Sequence, residues 1–245
     1  MKRENHLAIE INSQTLMILP CCAEKEPGGS ADYKESLSKY ISHDSYGLII
    51  ETRKNILSNL RQINKYTTDK YSKNKHIKAG MDFGGINSTG KYIQAIDRYT
   101  GSLYRAVEDF PDLVRQSLEK RNSPKIIILS ALYGPLHPFD MIQDYNLQMS
   151  DKPAYTSWKI TFAFFLREYV IRNKINQILL YLGQKTSYFK VVKSAIQKLK
   201  NVNVIYFDVK NGNSYHTPHN HGLLISKHLG YSRSVSFTRK IDRNL

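Results

Sequence analysis

The 245-residue chain carries 36 Lys and Arg against 21 Asp and Glu, a formal net charge of +15 at pH 7. Its 41% hydrophobic content supports a sizeable core and excludes disorder as the main theme. No apolar run approaches the ~18–20 residues that span a bilayer, and nothing behind Met1–His6 reads as a signal-peptide core, so a cytoplasmic protein is expected.

In chain order, the first apolar run, 15–19 (TLMIL), reads as a buried strand. It leads into Pro20-Cys21-Cys22-Ala23-Glu24-Lys25-Glu26-Pro27-Gly28-Gly29-Ser30. Small, turn-forming residues there let backbone N–H groups approach a ligand, while Glu24, Lys25 and Glu26 supply charge. The spacing is not that of a P-loop. The adjacent Cys21 and Cys22 suit free thiols in a reducing compartment, because neighbouring cysteines strain an intramolecular disulfide.

Helical patterns follow over 48–65, 92–107 and 113–118. Between the first two lies 67–90, Lys-rich and then Gly-rich. It is expected to be mobile, either a loop or DNA-facing arm or a solvated connector. A second strand is expected over 125–129 (KIIIL), followed by Ser130, Tyr133, Gly134, two prolines, Asp140 and Tyr145, a series that reads as a rigid pocket wall. The apolar 158–170 reads as a core helix.

The third strand, 177–182, opens into Gly183–Phe189, where Lys185 and Ser187 precede a helix over 188–199 whose N-terminus suits a phosphate. The fourth strand, 202–207, is followed by a loop over 211–222 holding His216, His219 and His221. Such a loop suits hydrogen bonds to a leaving base. Zinc is the rival reading, and it lacks a clear fourth ligand unless the first loop lends a cysteine. No metal and no cofactor are expected. A last helix is read over 223–229.

Alternating strands and helices imply βαβ crossovers. The expected architecture is one α/β domain over 1–245, with a central, mostly parallel four-stranded sheet flanked by helices and a helical insertion. The positive surplus attracts polyanions, because neutralised phosphates release counterions. The 17 tyrosines offer faces for unpaired bases. DNA is therefore the expected partner, double-stranded with a flipped base or single-stranded, and no membrane partner is expected.

The run 129–149, LSALYGPLHPFDMIQDYNLQM, resembles the YaaA family pattern Leu-Ser-Gly-Leu-Tyr-Gly…Pro-x-Asp-x-Ile-x-x-Tyr-x-x-x-Met. Gly101 with Tyr104, Tyr155 with Trp158, Ser187-Tyr188-Phe189-Lys190, and 207–212 (FDVKNG) are similar to further family segments, in the same order. The resemblance covers roughly 91–212. Two departures stand out. Residues 216–222 replace a Lys-rich family segment, and the first loop looks more like that of the archaeosine-synthase relatives. A looser resemblance reaches the uracil-DNA glycosylases, through Leu179-Leu180-Tyr181-Leu182-Gly183 and His216-Thr217-Pro218-His219.

The wider resemblance implies a DNA-binding enzyme that flips out a modified base and hydrolyses its N-glycosidic bond, in defence against phages with decorated DNA or in DNA repair. In that reading His216 or His219 hydrogen-bonds the leaving base, Glu24 or Glu26 positions water, and Asp140 is the reserve acid. Cys21, Cys22, Ser130, Tyr133, Gly134 and Tyr145 form the base pocket. Lys25, Lys185, Ser187, Lys190 and Tyr104 meet the nucleic acid. The YaaA resemblance alone implies the alternative, a non-catalytic DNA-binding protein of the peroxide stress response. The archaeosine-synthase likeness implies a third, a base-modifying enzyme acting on tRNA.

Overall fold

The computed structural model describes residues 9–62, 73–74, 77, 83–84, 89–208, 216–231 and 238–241. Eight strands are present among them: β1 (Thr15–Pro20), β2 (Ile93–Gln94), β3 (Lys125–Ser130), β4 (Gly134–Leu136), β5 (Met141–Ile142), β6 (Gln177–Leu180), β7 (Asn203–Asp208) and β8 (Thr238–Ile241). The helices are α1 (His43–Gln62), α2 (Ala95–Arg98), α3 (Phe110–Leu118), α4 (Lys152–Arg172), α5 (Ser187–Ile196) and α6 (His216–His228), with a 3₁₀ turn at Leu37–Tyr40.

The main sheet runs β4-β3-β1-β6-β7-β8. Its four central strands, β3, β1, β6 and β7, are parallel, and the edges β4 and β8 are antiparallel. Leu16, Met17, Ile18 and Leu19 of β1 are fully buried, as are Ile127, Ile128 and Leu129 of β3. Strands covered on both faces need this unbroken apolar run, which explains why all four parallel strands stand where the sequence places them. Helix α4 lies against α1 and α5, and its Trp158, Phe162, Phe165 and Leu166 enter the core. No helix among the described residues is long and apolar enough to cross a membrane.

The expected helix over 92–107 is replaced by β2, the single turn α2, and a string of turns. Backbone pairing outcompetes the helical pattern there. Ser30 and Tyr92 exchange two backbone hydrogen bonds, Glu26 N–H donates to Arg98 O at 2.8 Å, and Thr100 N–H donates to Glu24 O at 3.1 Å. The first loop is thereby drawn against this stretch.

The expected histidine loop is corrected at its C-terminal part. Residues 216–228 form α6, with Pro218 in its first turn, where a missing N–H costs nothing; 211–215 lie outside the described residues. Most of the expected mobile segment, 67–90, also lies outside them. Of its described residues, Asn74, Ile77 and Phe83 are buried, so at least these are docked on the body.

The two edge strands were not legible, and β4 shows why. It is three residues long and contains Pro135, and its Gly134 adopts a left-handed φ of +72°. A Cβ on Gly134 would lie 2.2 Å from the indole of Trp158, whose Nε1–H donates to Ala131 O at 2.9 Å. Gly134→Ala is therefore expected to destabilise the fold by about 2–4 kcal/mol, through both overpacking and φ strain. Urea unfolding followed by the fluorescence of Trp158, the chain's single tryptophan, measures this; an unchanged midpoint would refute the packing argument.

Candidate functional site

Beyond the carboxyl end of β1 the chain continues its register for one residue, with Cys21 N–H donating to Leu129 O at 3.0 Å. The Cys21 thiol meets Tyr188 Oη at 2.9 Å and accepts from Tyr145 Oη at 3.5 Å. Tyr145 Oη in turn meets Ser130 Oγ at 2.7 Å and Tyr99 Oη at 3.0 Å, and Ser130 Oγ accepts the Tyr133 N–H at 2.9 Å. Buried hydroxyls require such partners. Burial pushes Tyr99, Tyr145 and Tyr188 well above the usual phenol range, so the three phenols are neutral.

Cys22 turns toward a different neighbour. It accepts from Gly101 N–H at 3.2 Å and donates to Glu24 O at 2.9 Å. Gly101 must be glycine for this approach, since a Cβ there would lie 2.8 Å from Cys22 Cβ. Burial and the neighbouring Cys21 push the Cys22 thiol up to about 12, which keeps it protonated and a poor nucleophile. Both cysteines are free.

Lys25 folds back on its own loop. Its Nζ donates to Cys22 O at 2.9 Å and Ala23 O at 3.3 Å, and stands 4.2 Å from the centre of the Tyr145 ring. Burial lowers its pKa. The ammonium that the sequence assigns to phosphate is thus engaged by carbonyls and an aromatic face.

In front of the cluster lies a cavity of about 390 Å³, within the usual range for ligand sites. Cys21, Cys22 and Tyr188 line it, with Lys185, Thr186 and Ser187 on the α5 side and residues 146–150 completing it. Thr186 caps α5, its Oγ1 accepting from Phe189 N–H at 3.2 Å and donating to Gly183 O at 2.7 Å. The partial positive charge of this helix terminus and the exposed Lys185 ammonium favour an anion.

The structure brings together at this cavity Cys21, Cys22, Lys185 and Ser187 from the sequence expectations. The others lie elsewhere. Ser130, Tyr133, Gly134 and Tyr145 are buried behind it as its support and do not line it. Tyr104, expected on nucleic acid, is 3% exposed and donates to Pro20 O at 2.7 Å. Lys190 is exposed on α5 but outside the cavity. Glu24 is exposed and paired with Arg105 at 3.0 Å, and Glu26 is exposed on the same loop.

Asp140 is 1% exposed, and its carboxylate accepts from the backbone N–H groups of Ser36, Leu37 and His137 at 2.5, 3.0 and 2.7 Å. Burial and the nearby Glu35 push it up to about 7 against those three bonds. Its position is that of a loop clamp, not of an acid facing the cavity.

His216 opens α6 and His219 is exposed on it. His221 is buried, with Nε2 at 3.3 Å from Phe207 O, and His228 Nδ1 meets Tyr181 Oη at 2.5 Å. Tyr181 also stacks on Phe207 and meets His221 edge-on, so this aromatic group fastens α6 to the end of β6. Among the described residues no three His, Cys, Asp or Glu side chains gather as metal ligands. Sequence reasoning missed Tyr99 and most of 146–150 as parts of the site, whereas Met149 ends the YaaA-like run and Tyr188 lies in the 183–189 segment read as the start of a phosphate-binding helix.

A family model described as peroxide stress protein YaaA matches residues 16–226. The chain belongs to that family. The YaaA pattern read in 129–149 supplies Ser130, Tyr133, Gly134 and Tyr145, the buried support, and Met149, which lines the cavity. Similar relatives are UPF0246 proteins from Janthinobacterium sp. (strain Marseille), 32% identical over 125 residues, and from Shewanella woodyi, 30% identical over 132 residues. These matches cover 49% and 51% of this chain and 47% and 50% of the relatives. A third, from Chromobacterium violaceum, is 32% identical over 126 residues, covering 49% of this chain and 48% of the relative. The chain therefore spans about half the length of the relatives it matches.

Burial, and secondarily Lys227, hold His228 down at about 4 against an ordinary 6.5. The unfolded chain takes up this proton first, so the histidine's contribution is complete above pH 6.5 and is lost as pH falls toward 4. Replacing His228 with Asn is expected to reduce the stability lost between pH 7 and pH 5 by about 2 kcal/mol. Urea titrations of both proteins at the two pH values test this, and parallel losses would show that His228 does not titrate with unfolding.

Proposed function

We propose that the protein acts in the peroxide stress response by binding DNA, with the phosphate backbone meeting the cavity beyond the carboxyl ends of β1 and β6. The observation that carries this reading is the joining of Lys185 and the α5 N-terminus at one cavity, in a chain with a net charge of +15. The family supports the physiological setting. Lys190 extends the basic face along α5 beyond the cavity.

One feature favours a second, catalytic reading. The parallel strands run β3-β1-β6-β7, and His216 opens the helix that follows the last of them, which is where a glycosylase needs a donor to the leaving base. The acids do not support it equally. Glu24 is a surface partner of Arg105 and Asp140 is held by three amides, which leaves exposed Glu26 as the remaining candidate to position water. The binding reading is therefore the better supported.

The test is fluorescence anisotropy of a labelled duplex over a salt series. The double variant Lys185→Glu/Lys190→Glu is expected to bind at least about tenfold more weakly, and to flatten the log–log salt slope by roughly two. Affinity that ignores both salt and charge reversal would overturn the proposal. The same samples, prepared with uracil, oxidised and glucosylated bases and treated with alkali, address catalysis. A nick lost in His216→Ala would transfer the site to the glycosylase reading.

A further inference from the structure

A second cavity, of about 220 Å³, lies at the opposite end of the sheet, where β3 begins and β4 has run out. Its lining includes Lys34 and Lys39, Lys125 at the first position of β3, and the rings of Tyr40 and His137. No part of it is shared with the cavity beyond β1 and β6.

His137 is the most constrained member. Its ring is stacked on Tyr40, with centroids 5.4 Å apart and planes within 6° of parallel, and it meets Phe139 edge-on at 5.1 Å. Only 6% of the residue is exposed. Its Nδ1 accepts the Phe139 N–H at 3.2 Å, so Nδ1 carries no proton and the neutral ring holds its proton on Nε2. Burial, then Lys125 and Lys39, hold its pKa down at about 4, so the ring is neutral at physiological pH. The Nε2–H is a fixed donor in the cavity wall with no acceptor among the described residues.

The lysines are equally available. None of the three has a carboxylate partner among the described residues. The acids of the neighbourhood are already engaged: Glu35 by Arg53, Asp97 by Arg115, and Asp140 by three backbone amides. Lys125 Nζ stands 5.5 Å from the centre of the Tyr40 ring, a cation–π contact at the cavity wall. Uncompensated ammonium groups converging on one recess create a positive field aimed at a small anion.

The size narrows the class. At about 220 Å³ the cavity lies below the ~300 Å³ lower bound of drug-sized sites. An internal phosphodiester carries chain on both sides and does not enter a recess of this size, whereas a terminal phosphate does. Lysines act on phosphate as point charges and suit a dianion, without needing the planar match that a guanidinium gives a carboxylate. We propose that this cavity binds a phosphomonoester dianion, held by Lys34, Lys39 and Lys125 and hydrogen-bonded by His137 Nε2–H. Such a group is presented either by a small phosphate ester or by the 5′ end of a nucleic acid. The site is independent of the DNA face proposed above.

The test is calorimetric titration of the full chain with AMP, with inorganic phosphate, and with single-stranded oligonucleotides bearing either a 5′-phosphate or a 5′-hydroxyl. The imidazole ¹⁵N signals of His137 are followed in parallel. AMP is expected to bind, to shift the Nε2 resonance, and to lose at least about tenfold in affinity in Lys34→Ala/Lys39→Ala, whose two positions are exposed and leave the core intact. Lys185→Glu/Lys190→Glu is expected to leave this binding unchanged, which separates it from the DNA face. A preference of about tenfold or more for the 5′-phosphorylated oligonucleotide over both its hydroxyl form and AMP would identify the nucleic-acid end as the source; equal binding of the two oligonucleotides beside tighter AMP would identify the small ester. The proposal is overturned if no phosphate probe binds at millimolar concentration. It is equally overturned if AMP binding survives the lysine double variant undiminished or leaves the His137 Nε2 signal in place.

Discussion

The guanidinium of Arg98 has no solvent exposure, yet it donates to backbone carbonyls of Glu26, Gly28, Lys91 and Ile142. These four carbonyls belong to three separate stretches: the loop after β1, the approach to β2, and β5. A charge taken out of water is tolerated only where its donors are satisfied, so the three stretches must meet at this point for the chain to fold. The site depends on this constraint. Once the first loop is fixed at Glu26 and Gly28, Cys22 falls against Gly101, Lys25 folds over Tyr145, and Cys21 is left between two phenols. Replacing the guanidinium with a lysine would keep the charge and lose the fork that reaches several carbonyls at once.

Arg53 plays a related part on the other side of β4. Its Nε donates to Tyr133 O at 2.8 Å and it pairs with Glu35 at 3.3 Å, both side chains being almost wholly buried. Glu35 in turn accepts from Tyr33 and Tyr46, and its charge reaches Asp140. The turn after β3 is thus gripped from within by an ion pair, while Asp140 ties the chain after β4, at His137, to Ser36 and Leu37. The result is a rigid wall between two ends of one sheet. One end gathers a helix terminus and Lys185; the other gathers three lysines and a neutral imidazole.

The parallel strands were legible because full burial on both faces leaves a run such as TLMIL or KIIIL no other reading. Helix α4 was legible from the density of its aromatic residues. The stretch over 92–107 was not, since its apolar spacing suits a helix and its actual partners lie some seventy residues earlier in the chain. Nothing local announces that Arg98 will be buried, and nothing in Gly134-Pro135-Leu136 announces a strand. The histidine segment was misread for a different reason. Its apolar stripe starts at Leu223, whereas the helix starts at His216, on residues whose spacing carries no apolar signal.

The site was legible in part, and the division follows its physical layering. Of the letters that carry the resemblance to the YaaA pattern, Ser130, Tyr133, Gly134 and Tyr145 form hydrogen bonds and close contacts behind the cavity, while Met149 and Tyr188 line it. A cavity of this kind needs that support first, because three buried phenols and a thiol at strand ends must satisfy one another before any open space in front of them is stable. The lining residues follow a different logic. Cys21 and Cys22 stand in the loop that departs from the YaaA pattern, and they touch the open space directly. Departures that line a cavity change what it admits without disturbing what holds it up. The vicinal thiols stand beside Lys185 and Ser187 at the open space, with Tyr188 between them and the buried phenols of Tyr99 and Tyr145.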